Sequence, residues 1–189
     1  AINRAIDRDA LNEAFFGGKG EKMVVNNFHP TREAWNPSWA ERFESLYGYD
    51  PAKAKALLAD AGYGPDNVLE INLQSKNLSH YSGSLDVVDA TVEYLRAIGI
   101  KPKLIVQDPA TESAQGRDFQ HSNRLTITGT SSHLLLGIRV YATHSTPRTG
   151  NPEWGDTDKL FIDIRGTLDA AKQLKWLDEL GEKTFVRYQ

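Results

Sequence analysis

The side chains able to do chemistry are few, and their spacing limits what they can do. Five histidines stand at positions 29, 80, 121, 133 and 144. His121, His133 and His144 are 12 and 11 residues apart, with no H-E-x-x-H and no i, i+4 pair to share one metal ion. Ser131 and Ser132 precede His133, the pairing a serine hydrolase needs, but no G-x-S-x-G elbow surrounds them. Gly17-Gly18-Lys19-Gly20 is glycine-rich, yet it follows a helical pattern and lacks the Lys-Ser/Thr ending of a phosphate loop. With zero cysteines there is no disulfide framework, thiol nucleophile or Cys-ligated zinc. The absence of thiols does not choose a compartment.

What remains is a vocabulary for binding. Trp35, Trp39, Tyr141 and Trp154 lie in segments rich in Asn, Arg and Thr. Aromatic faces there can stack on sugars, amides or planar groups, and Arg139 or Arg148 can grip a carboxylate bidentately. Trp35 and Trp39 read better as plugs at the edge of a core.

These residues need a scaffold, and the composition allows one. The 189 residues are 40% hydrophobic, with 22 basic against 25 acidic side chains, a net charge of −3. The signs are interspersed, so no basic nucleic-acid footprint forms. No apolar run approaches the roughly 18 residues of a membrane helix. Ala1 starts within what reads as an ordered segment, which suggests a piece of a longer chain.

Residues 1–16 predict a short helix and then a second one, capped by Asp7 and stopped at Gly17-Gly18. Asp50 and Pro51 open the best-marked helix, Ala54, Leu57, Leu58 and Ala61 form its stripe, and Gly62 closes it. Leu69 to Gln74 alternates as a half-buried strand. A helix over 85–98 carries Leu85, Val88, Val92 and Leu95 on one side and closes at Gly99. Ile100, Leu104 and Val106 then begin a second strand. Strand, helix and strand make a βαβ unit with parallel strands. Leu125–Thr128 is a third strand candidate. Residues 129–156 read as a loop-rich segment, and a last helix spans about 168–183 with Ala170, Leu174 and Leu177 inward.

Three stretches carry a resemblance. Ala1-Ile2-Asn3-Arg4-Ala5-Ile6-Asp7-Arg8 is followed by Gly17, Gly18 and Gly20. Tyr49-Asp50-Pro51 runs on through Ala54-Lys55-Ala56-Leu57-Leu58-Ala59-Asp60-Ala61-Gly62-Tyr63, and Leu95 leads to Ile98-Gly99-Ile100. In order and spacing they resemble the family 5 extracellular solute-binding proteins, the dipeptide- and oligopeptide-binding receptors of ABC importers.

The resemblance implies an α/β fold, a periplasmic-binding-protein-like lobe with a mixed sheet and a βαβ unit flanked by helices. Residues 1–189 would form a single lobe, the C-terminal one of a two-lobed clamp. It implies a non-enzymatic, monomeric, extracytoplasmic receptor without cofactor, metal or nucleic acid, in the periplasm or on the outer face of the cell membrane. Its partners would be a small-molecule solute and ABC permease subunits. Peptide-binding members follow the third strand with Gly-Trp and then an Asp that anchors the α-amino group. Here Gly129 is followed by Thr130, and His133 stands near the position of the Asp, which widens the expected solute to a peptide, a sugar or an opine-like compound. Arg139, Tyr141, Trp154, Thr130 and His133 are the expected ligand-facing residues.

Overall fold

The computed structural model describes residues 1–75, 83–108, 110–111, 114–115, 124–127, 134–138 and 155–187. The chain divides into two compact units. One is Ala1–Lys22, Tyr47–Ala114 and Ser122–Gly129; the other is Met23–Leu46, Gln115–His121 and Thr130–Gln189.

In the first unit, helices α1 (Ile2–Ala5) and α2 (Arg8–Phe16) stand where the sequence predicts them. The Asp7 carboxylate accepts the Ala10 N–H at 2.9 Å, a side-chain cap on a donor the helix itself cannot satisfy. Gly17 ends α2 at φ 58°, a left-handed conformation that favours glycine. Asp50 caps α4 (Pro51–Asp60) in the same way, accepting from Lys53 N at 2.9 Å. The buried stripe of α4 is narrower than expected: Ala54 and Leu58 are inside, while Leu57 is 38% exposed and Ala61 faces solvent. The helix meets the core along one i, i+4 line. There Ala54 and Leu58 pack with Ala5, Ile71, Leu95, Ile98 and Ile100.

The sheet has the order β2-β1-β3, formed by β1 (Glu70–Ser75), β2 (Lys101–Val106) and β3 (Arg124–Ile127). Both pairings are parallel, with Leu73 opposite Leu104 on one side and Leu125 on the other. The antiparallel member that a mixed sheet requires is not among the described residues. Helix α5 (Ser84–Ala97) makes the crossover, setting Val88 and Val92 against Leu73. Gly99, at φ 91°, then turns the chain into β2, so the expected parallel βαβ unit is present. Two details differ from the sequence reading. Leu104 and Val106 are 38% and 53% exposed, because β2 has no second neighbour among the described residues, and within the strand only Pro102 is buried. The alternation of β1 also fails at its end, where Gln74 and Ser75 are both buried.

In the second unit, α3 (Ser38–Tyr47) begins inside the stretch read as loop. The Asn36 side chain accepts Ser38 N–H at 3.0 Å, so the Asn-Pro-Ser sequence is a helix start. Trp39 is therefore helical and fully buried, edge-on to Phe28 at 5.4 Å and to Trp35 at 5.5 Å. The plug reading holds for it. The remaining elements are α6 (Leu134–Gly137), α7 (Gly155–Gly166) and α8 (Ala170–Arg187). Helix α7, absent from the sequence reading, buries Leu160, Phe161 and Ile164. Helix α8 turns Leu177, Leu180 and Phe185 inward, whereas Ala170 and Leu174 are exposed. The Asp156 carboxylate ties the start of α7 to the end of α8, accepting from Lys183 at 2.9 Å and from Arg187 at 2.8 and 3.0 Å.

Candidate functional site

A parallel sheet has two unlike ends, and here they differ in chemistry. At the amino-terminal edge, Val68, Leu69, Ile98 and Gly99 line a cleft of about 460 Å³ with Leu58, Tyr63, Lys55 and Arg96. Its walls are mainly apolar. At the carboxyl-terminal edge the central strand finishes in two buried polar residues, Gln74 and Ser75. Gln107 N–H donates to the Ser75 carbonyl at 3.0 Å, extending the ladder one residue past β2. The Gln74 Nε2 donates to Gln107 Oε1 at 2.5 Å.

Asp108 follows. Its Oδ1 accepts from Ala110 N at 3.0 Å and Thr111 N at 2.9 Å, and its Oδ2 accepts from Thr111 Oγ1 at 2.5 Å. The Thr111 hydrogen bonds, side-chain first, hold this carboxyl below the usual carboxylate range. The edge thus presents neutral amides and hydroxyls beside a carboxylate already engaged in its own turn. Ligands of open α/β sheets bind outside the carboxyl ends of the strands, so this edge is the stronger candidate.

The residues expected to face the ligand follow β3 in the chain. Thr130, His133, Arg139, Tyr141 and Trp154 all lie outside the described residues, as do Ser131, Ser132, His80, His121, His144 and Arg148. His29 is described, and its Nδ1 pairs with Thr31 Oγ1 at 2.8 Å within a local turn. Among the described residues no three His, Asp or Glu side chains converge on a possible metal position. Of the binding aromatics, Trp39 belongs to the core and Trp35 packs against it. Gln74 and Gln107 were missed in the sequence. Their signal is a polar residue where the strand alternation should have ended, at the carboxyl end of a βαβ strand.

Residues 1–134 match the family model described as bacterial extracellular solute-binding proteins, family 5 Middle. The glutathione-binding protein GsiB of Salmonella choleraesuis (strain SC-B67) is 29% identical over 158 residues, covering 82% of this chain and 26% of the relative. The chain therefore spans about a quarter of the length of the curated relatives it matches. Among solved structures, the oligopeptide-binding protein AppA of Bacillus subtilis, in complex with a nonapeptide, aligns with a TM-score of 0.75 at 18% identity, over 97% of this chain and 38% of that one. The periplasmic binding protein DppA of Helicobacter pylori, in complex with the peptide STSA, aligns with a TM-score of 0.73 at 21% identity, over 97% and 35%. At these identities the structural likeness speaks for the fold.

Proposed function

The chain belongs to the bacterial extracellular solute-binding proteins of family 5, and from that premise we propose that residues 1–189 are the C-terminal lobe of a two-lobed receptor. The receptor captures a polar, peptide-like solute outside the cytoplasm and delivers it to the permease of an ABC importer. The observation that carries this reading is the family match over residues 1–134.

Capture needs no covalent chemistry. A solute bridging two lobes favours the closed form by the contacts it makes to both, and the closed form docks on the permease. The receptor works as a monomer and by binding alone. The hydrolase reading of Ser131 or Ser132 with His133 draws no support from relatives that are named for binding. The solute class follows GsiB: a short peptide or a γ-linked one such as glutathione comes first. Thr130, His133, Arg139, Tyr141 and Trp154 stay proposed as solute contacts on the sequence reading alone.

Calorimetry on the full-length receptor tests the reading, with glutathione, di- and tripeptides, an opine and a disaccharide as probes. The expected result is one-to-one binding of a peptide-like probe, at least tenfold tighter than to the 189-residue chain alone, since a clamp splits its contacts between lobes. Binding of none of these probes by the full-length receptor would refute it. Equal affinity in the short chain would put the whole site in this lobe.

A further inference from the structure

A primary amide carries one acceptor oxygen and two N–H donors, and which side faces a ligand depends on what holds the other. At Gln107 the oxygen is the side that is held. Gln74 Nε2 donates to Gln107 Oε1 at 2.5 Å. Gln74 is only 1% exposed, so packing fixes the donor that dictates how the Gln107 amide lies. The Gln107 backbone is fixed as well, through its N–H to the Ser75 carbonyl at 3.0 Å. The Gln107 side chain itself is half-buried. Among the described residues its Nε2 makes no hydrogen bond, so two oriented amide donors are open to water or to a ligand at the carboxyl edge of the sheet.

We infer that Gln107 is a specificity-determining contact, offering its Nε2 donors to a carbonyl or carboxylate oxygen of the solute, with Gln74 as the positioning residue behind it. The inference rests on the reading of the chain as a receptor lobe for a peptide-like solute. A peptide is well matched to such a contact, because its backbone presents acceptor oxygens and its C-terminus a carboxylate. The donors are neutral and arrive pre-oriented, so binding does not have to order this side chain.

The experiment uses the full-length receptor with reduced glutathione and trialanine as probes. Affinity is read by calorimetry, and the melting temperature of each unliganded variant is read beside it. Gln107→Met removes the donors and should weaken binding about tenfold. Gln107→Glu keeps the size and the acceptor for Gln74 but turns a carboxylate toward the solute oxygens, and should weaken binding further, by about a hundredfold. Gln74→Met leaves Gln107 in place without its guide, so a loss of about threefold is expected. All three should melt within a few degrees of the wild type. Wild-type binding that none of the variants changes would overturn the role of Gln107 and leave the receptor reading standing. Equal losses in Gln107→Met and Gln107→Glu, tracking a lowered melting temperature, would make the pair structural and also overturn it. A wild-type receptor that binds neither probe would overturn the peptide-receptor reading, and this inference with it.

Discussion

Replacing Gly181 by alanine sets two effects of opposite sign against each other. Gly181 lies within α8, where alanine is intrinsically better by about 1 kcal/mol. The space decides otherwise. A Cβ at this position would stand 2.2 and 2.5 Å from two ring carbons of Trp39 and 3.2 Å from the Phe28 ring. Ordinary carbon contacts sit at about 3.5–4.0 Å, so Trp39 would have to retreat by more than about 1 Å. It has nowhere to go: it is fully buried between Phe28 and Trp35, and its Nε1 donates to Glu182 Oε2 at 2.8 Å. Overpacking of this kind costs about 1–3 kcal/mol, and an overlap this deep belongs at or above the upper end. Net destabilisation of about 2 kcal/mol or more is expected after the helix gain is subtracted. Urea unfolding followed by tryptophan fluorescence measures it directly, with Gly166→Ala as control, since nothing lies within 4 Å of a Cβ there. Trp39→Leu should abolish part of the Gly181→Ala penalty in a double-mutant cycle. A Gly181→Ala protein as stable as the wild type, or more so, would refute the packing argument.

Three further outcomes are expected. Leu58→Ala should cost about 2–4 kcal/mol in chemical denaturation, whereas Leu57→Ala on the exposed side of α4 should cost well under 1, because only Leu58 leaves a cavity. Asp50→Ala should lower stability by about 1 kcal/mol through the lost cap on Lys53 N, and Asp50→Ser should recover most of it. Hydrogen bonds from Arg187, and then from Lys183, hold the Asp156 carboxyl well below the usual carboxylate range. Its contribution is therefore present above the ordinary value of about 4 and fades as pH falls below it, so the melting-temperature gap to Asp156→Asn should narrow between about pH 4 and pH 2. Because the group is solvent-exposed, the stability difference behind that gap should stay under about 1 kcal/mol and shrink in about 1 M salt.

The parts of the fold legible in the sequence are those set by local chemistry. Asp7 and Asp50 are capping carboxylates, Gly17 and Gly99 adopt positive φ, and each ends or starts an element where the residue types require it. The βαβ unit was legible because 69–106 switches from period two to period 3.6 and back. What sequence could not supply was neighbourhood. Leu104 and Val106 have the composition of an inner strand but lie on an edge, and Leu57 and Leu174 have the spacing of core residues but face water. Helix α7 was hidden because Gly155-Asp156-Thr157 has turn composition, although Leu160, Phe161 and Ile164 already had helical spacing. The candidate site was legible mainly as a family likeness. Gln74 and Gln107 are 33 residues apart, and only the parallel register brings their amides together.

The edge strand also bears on how the protein stays apart from its copies. Lys101 N–H bonds to the Leu69 carbonyl and Gln107 N–H to that of Ser75, so odd-numbered residues of β2 turn their backbone groups toward β1. Residues 102, 104 and 106 turn theirs outward, where β2 has no second neighbour among the described residues. Pro102 has no N–H to give, which leaves only Leu104 and Val106 as outward donors along the strand. Lys101 and Lys103, both exposed, add charge to the same stretch. An incoming strand would meet a missing hydrogen bond and the Lys103 ammonium before it reached the Leu104-Ile105-Val106 run, whose composition favours β-aggregation, the Lys101 ammonium being paired with Glu70 of β1. Pro102 is thus a guard against strand addition as well as a core residue, and Pro102→Ala would expose the edge to self-association at high concentration even if the fold tolerated it.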